Sequence, residues 1–201
     1  MNKIKYVLAK LMKKAQLPAI KNSNIASNSK ICSGSNVLNI SLDRYSYIGN
    51  NCTIIESEIG KFTSIADNCI VGGASHPMDW VSTSPVFHEG KNILKKNFSE
   101  HTFNPYKKTI IGNDVWLGNS VLVKAGVTIQ DGAVIGMGSI VTKDIGPYEV
   151  WAGNPAKLIK KRFDDKTIKI LRESLWWEKT DIEIAKESLN FNDVDKYINL
   201  K

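Results

Sequence analysis

Few side chains in this 201-residue sequence are suited to chemistry. Its three histidines, His76, His88 and His101, all fall within one stretch, 72–110. An imidazole titrates near about 6.5, so in a neutral compartment it is mostly uncharged and able to take up a proton. The three cysteines, Cys32, Cys52 and Cys69, are odd in number and show no C-x-x-C spacing. They read as small buried hydrophobes and not as metal ligands or a redox pair. The question is what holds the histidine stretch, and the sequence on either side of it answers that.

From residue 111 the chain divides into sixes: IGNDVW, LGNSVL, VKAGVT, IQDGAV, IGMGSI, VTKDIG. An aliphatic residue opens each block (Ile111, Leu117, Val123, Ile129, Ile135, Val141), and a small or aliphatic one follows four places later. A period of six is neither the 3.6 of a helix nor the 2 of a plain strand, and it marks a parallel β-helix of hexapeptides. A less regular version occupies 25–75, opening at Ile25, Ile31, Val37, Ile48, Ile54, Ile59, Ile65 and Val71. The intervals from Val37 to Ile48 and from Ile54 to Ile59 are each one residue short, so local distortion is expected there.

An open-ended β-helix has to cover its ends. Residues 2–15 put Ile4, Val7, Leu8, Leu11 and Ala15 on one helical stripe, with Lys3, Lys10, Lys13 and Lys14 off it. The reading favoured here is a cap on the first coil or on a neighbouring subunit; a basic amphipathic helix lying on a membrane is the other. Residues 164–188 read as two short helices in which Trp176 and Trp177 pack. The organisation is then an amphipathic helix in 1–20, a β-helix over 21–163 with an insertion at 72–110, and a helical tail over 164–201.

The insertion begins "GGASHPMDWVSTSPVF", and its mix of aromatic and turn residues reads as a folded loop. That stretch, the resumption "IIGNDVWLG" and the closing "AGNPAK" together resemble the hexapeptide-repeat acyltransferases. The nearest likeness is to the xenobiotic acetyltransferase branch, which includes chloramphenicol, streptogramin and sugar O-acetyltransferases. The resemblance spans 25–180 and implies a mainly β fold, a left-handed parallel β-helix of about five or six three-sided coils. It also implies a homotrimer with sites between subunits and acetyl-CoA as co-substrate.

On this likeness His76 is the general base for a hydroxyl acceptor. Either a carboxylate or a backbone carbonyl could orient it, with Asp79 and Glu56 as weak candidates, and His88 and His101 read as loop residues. Trp116 lies near the base, Asn119 near the thioester, and Met137, Thr142 and Lys143 along the pantetheine arm. Lys157 and Lys160 stand where relatives carry phosphate-binding arginines, and so act as point charges without a bidentate fork. Tyr45, Tyr47, Trp80 and Phe87 are acceptor candidates. The expected reaction is acetyl transfer to a sugar or glycan hydroxyl, with an antibiotic hydroxyl as the alternative.

Composition is consistent with this. The chain is 42% hydrophobic with a net charge of +7, which suits anionic partners. No dense basic block with interleaved aromatics supports nucleic-acid binding, and a non-catalytic scaffold would leave His76 and "NPAK" without a purpose. A zinc hydratase on the same repeat is disfavoured because the histidine spacings are 12 and 13, with no close pair. No secretory signal pattern or long apolar run is evident, so a cytoplasmic, metal-free enzyme is expected.

Overall fold

The computed structural model describes residues 3–199; residues 1–2 and 200–201 of the expected end segments, and the side chains of Lys13 and Lys14, lie outside the described residues. The six-residue pattern folds as a parallel β-helix whose coils have three faces. The first face stacks β1 (Ala19–Lys21), the start of β4 (Asn36–Leu42), the start of β6 (Thr53–Ile59), β8 (Ile70–Val71), β11 (Leu122–Val123) and β14 (Ile140–Val141). The second stacks β3 (Lys30–Ile31), β5 (Tyr47–Ile48), β7 (Ser64–Ile65), β10 (Trp116–Leu117), β13 (Val134–Ile135) and β15 (Glu149–Gly153). On the third lie β2 (Asn24–Ile25), the ends of β4 and β6, β9 (Thr109–Ile111) and β12 (Thr128–Ile129), closed by a bridge to Ile145. Within a coil the chain runs from the first face to the third and then to the second.

The block openers form the core. Ile48, Ile54, Ile65, Val71, Leu117, Ile129, Ile135 and Val141 are all fully buried, while Ile25 and Ile31 pack at the half-open first coil. Each such side chain contributes about 1.5–3 kcal/mol by leaving water. The residues four places on also face inward at the corners, as valine at Val115, Val121 and Val127 and as small polar residues or cysteine in the earlier coils. Ser35 Oγ donates to Gly49 O (2.8 Å), Ser46 Oγ to Gly60 O (2.6 Å) and Thr63 Oγ1 to Gly112 O (2.8 Å). The Cys52 and Cys69 thiols take the same role against Ala66 O and Gly118 O, both at 3.2 Å, so the buried reading of these two holds. Each hydroxyl or thiol thus ties one coil to the next.

The two short intervals turn out to have one cause. Leu42, 2% exposed, opens a side that the sixfold count passes over, and Val37 to Leu42 and Ile54 to Ile59 are five-residue sides. β4 and β6 run unbroken through that corner with Asn39 and Glu56 at φ 55° and 49°. Equivalent residues are 17 apart in these coils, as in the Ser35–Cys52 bond, and 18 apart after the insertion, as in Asn113–Asp131.

At the other end, β16 (Ala156–Lys161) folds back antiparallel on β15. Three helices follow: α2 (Asp165–Glu173), α3 (Asp181–Glu187) and α4 (Val194–Ile198), when the N-terminal helix (Lys3–Lys14) is numbered α1. Asp164 caps α2 through Thr167 N (2.8 Å), and Thr180 with Glu183 forms a capping box on α3. These helices lie along the corner between the third and second faces. Trp176 meets Phe62 (centroids 4.9 Å), Arg44 donates to Trp177 O (2.8 Å), Lys61 pairs with Glu178 (2.7 Å) and Arg162 with Asp114 (3.0 Å). Trp176 and Trp177 pack, as expected. Among the described residues α1 forms no cap on the first coil. It diverges ahead of Leu17–Pro18, and every side chain from Lys3 to Met12 is exposed.

Candidate active site

The insertion leaves the β-helix at the corner between the first and third faces. Its first residue must be glycine: Gly72 has φ 76°, and a Cβ there would sit 2.0 Å from Ile55 O. The neck is closed where Ser75 N and Oγ both donate to Pro105 O (2.7 and 3.0 Å) and Ala74 bridges Tyr106. His76 emerges from this neck, followed by the buried Pro77.

His76 Nδ1 lies 2.8 Å from Thr83 O. A carbonyl can only accept, so Nδ1 carries the proton and Nε2 presents its lone pair from an exposed ring. The orienting group is therefore a backbone carbonyl. Glu56 instead accepts from Asn39 Nδ2, and Asp79 lines the cleft formed by the loop.

That cleft, about 570 Å³, is walled by Trp80, Phe87 and His101 and edged by Asp79, Ser82 and Ser99. It is held by the loop's own packing. His101 meets Trp80 edge-on at 5.6 Å, Phe87 stacks on Phe98 at 5.9 Å, and Ser99 Oγ donates to Phe87 O at 2.8 Å. His88 is 8% exposed, paired in backbone register with His101 and bonded through Nδ1 to Glu89 O (3.1 Å). It shapes the loop. His101, read from sequence as a loop residue, joins the cleft wall; its contact with Trp80 bridges 21 positions and has no local signature in the sequence.

The remaining candidates are spread around the coil. Thr142 and Lys143 sit at the loop corner above its root, since Gly72 N donates to Val123 O (3.0 Å) and Lys124 N to Val141 O (2.9 Å). Asn119 and Met137 turn the opposite corner, between the second and first faces, stacked through Gly138 N to Asn119 O (2.8 Å). Trp116 and Tyr47 stand on the outward side of the second face, each in register with Ser64. Lys157 and Lys160 are exposed on β16 and, among the described residues, in no ion pair, whereas neighbouring Lys161 pairs with Asp165. Tyr45 is drawn to the C-terminal helices by Asp181 and by stacking on Phe62 (5.1 Å). The fold therefore brings Trp80 and Phe87 together and leaves Tyr45 and Tyr47 on other sides of the coil. No cluster of three or more metal-ligating side chains occurs among the described residues.

Residues 108–143 match the family described as bacterial transferase hexapeptide (six repeats). A probable macrolide acetyltransferase of Lysinibacillus sphaericus is 40% identical over 144 residues, 70% of this chain and 76% of that protein. The chain belongs to the bacterial hexapeptide-repeat transferases. A chloramphenicol acetyltransferase of Agrobacterium fabrum is 43% identical over 122 residues, covering 59% of this chain but only 58% of that relative's length. Among solved structures, a variant of AntD shares the fold with a TM-score of 0.53 at 19% identity, over 84% of this chain and 95% of that one. AntD is a Bacillus cereus N-acyltransferase, there in complex with dTDP-4-amino-4,6-dideoxyglucose and coenzyme A.

Proposed function

We propose that this chain is an acetyl-CoA-dependent O-acetyltransferase with His76 as its general base, acting on a sugar or glycan hydroxyl. The observation that carries the reading is the 2.8 Å bond from His76 Nδ1 to Thr83 O, which leaves Nε2 free to accept a proton on the same loop that forms the aromatic cleft. As the acceptor oxygen attacks the thioester carbonyl, its proton passes to Nε2. When the tetrahedral adduct collapses, the C–S bond breaks and the imidazolium returns that proton to the departing thiolate. Trp80 and Phe87 offer flat faces to the C–H side of a sugar ring, with Asp79, Ser82 and Ser99 placed to meet its hydroxyls. For the donor, Lys157 and Lys160 supply uncommitted positive charge for phosphates, while Asn119, Met137, Thr142 and Lys143 line the coil edges the pantetheine arm would follow.

Asn119 with Met137 and Thr142 with Lys143 lie at two corners, at opposite ends of the first face, and the loop occupies the second of them. Neighbouring coils side by side would bring the loop corner of one copy to the Asn119 corner of the next, which supports a homotrimer with sites between subunits. A second reading, acetylation of an antibiotic hydroxyl, is favoured by the relatives named chloramphenicol and macrolide acetyltransferases.

The test is thiol release from acetyl-CoA across nucleotide sugars, oligosaccharides, chloramphenicol and a macrolide, with His76→Ala alongside. Turnover on a carbohydrate, reduced at least about 100-fold in the folded variant, is the expected result. Turnover on a drug alone transfers the assignment to the second reading. Undiminished activity in the variant removes His76 as the base.

A further inference from the structure

The net charge of this protein is concentrated at one end. Seven lysines and no carboxylate precede Asp43, which equals the whole net charge of +7; the remaining 20 basic residues are matched by all 20 acidic ones. Those lysines, the last of them Lys30, all belong to α1 and the first coil, β1 to β3, so the positive charge sits on one end of the rod. α1 itself carries no acidic residue.

Its apolar stripe is uncovered as well. Val7, Leu8 and Leu11 are 52%, 54% and 57% exposed, at spacings that place them on one face with Ile4. At 3.6 residues per turn, Lys3 and Lys10 border one edge of this stripe and Lys5 the other. A protein partner would have to match both an apolar face and lysines on each side of it. A second copy of the helix would set lysines against lysines. An anionic lipid surface satisfies both demands, taking the apolar face into the acyl boundary and the ammonium groups at headgroup level. No described helix is long and apolar enough to cross a membrane, and 12 residues extend only about 18 Å, so the helix would lie in the plane of the surface.

We propose that α1 docks the basic end of this protein onto anionic membrane, whatever its acceptor. The test is co-sedimentation of the full chain with vesicles of phosphatidylcholine alone and of phosphatidylcholine mixed with phosphatidylglycerol, at low and raised salt. Binding is expected only to the phosphatidylglycerol vesicles and to weaken with salt. Each lysine changed in Lys3→Gln, Lys5→Gln and Lys10→Gln should lower partitioning about five-fold. Leu8→Asp with Leu11→Asp should abolish it, with an unchanged melting temperature because both side chains lie outside the β-helix core. Wild-type protein remaining in the supernatant with anionic vesicles would overturn the proposal. So would undiminished binding of the leucine variant, which would mean adsorption by charge alone. A change of assembly mass in the leucine variant, with no vesicle binding by wild type, would assign the stripe to another copy of the chain.

Discussion

His76 shows how little a catalytic assignment can rest on residue type. Three histidines share one loop, and their environments separate them. His88 is buried and tied to its own neighbour's carbonyl, His101 forms a wall against Trp80, and His76 is exposed and has its Nδ1 tied to a carbonyl across a turn. A carbonyl partner fixes the tautomer without adding negative charge next to the ring, as a carboxylate would. The donor lysines make a separate residue-scale prediction. On the proposed role of these lysines, Lys157→Ala with Lys160→Ala should raise the Kd for coenzyme A at least about ten-fold, the loss expected of two charge-assisted phosphate contacts. Binding of a phosphate-free pantetheine thioester should hardly change. Calorimetry with both ligands checks this, and equal losses for the two would place these lysines away from the phosphates.

Among the elements, the coil is tolerant where it is repetitive and intolerant where it is interrupted. A five-residue side at Val37–Leu42 is absorbed by carrying β4 straight through the corner, with Asn39 in the left-handed region that Asn accepts readily. Gly72 has no such latitude. Its φ of 76° and the 2.0 Å approach of a built Cβ to Ile55 O fall on the same residue, and the obstacle is backbone. Gly72→Ala should therefore destabilise the protein by about 2 kcal/mol or more and move the loop root that carries His76. Thermal melting reads the first effect and turnover of the folded fraction the second. A melting temperature equal to wild type would mean that the loop leaves the coil with more freedom than the geometry indicates.

At the scale of the molecule, the three corners of the coil have been given different tasks. One sends out the loop, one carries Asn119 and Met137, and the third is sealed by the C-terminal helices over Tyr45, Phe62 and Asp114. Sealing has an electrostatic consequence at Asp114. Burial pushes its carboxyl above the ordinary value of 3.8, and Arg162 pulls back only part of that rise. A raised pKa in the folded state means that ionised Asp114 opposes folding above that pKa, and that the penalty is relieved as pH falls through it. Asparagine at 114 has no such dependence. Denaturation midpoints of wild type and Asp114→Asn should therefore shift relative to each other, in favour of wild type, between neutral pH and about pH 4. A gap that stays constant would show that Asp114 is as well solvated folded as unfolded.

Periodicity along the chain is enough to assign the coils and the point of interruption, and it draws attention to His76, the residue proposed to act there. Six-residue periodicity is a local property: each side buries its opener whatever lies elsewhere, so Ile54 or Leu117 can be assigned from a few neighbours. Even the miss at Leu42 was local, a side one residue short. Which candidates meet depends on long-range contacts. Trp80 reaches His101 across a loop of non-repeating contacts, and Tyr45 turns toward Asp181, 136 residues away, where no pattern along the chain could place it. Periodic burial repeats its own instructions along the chain, whereas the loop and the helical seal depend on single long-range contacts whose free energy exists only once both partners are in place.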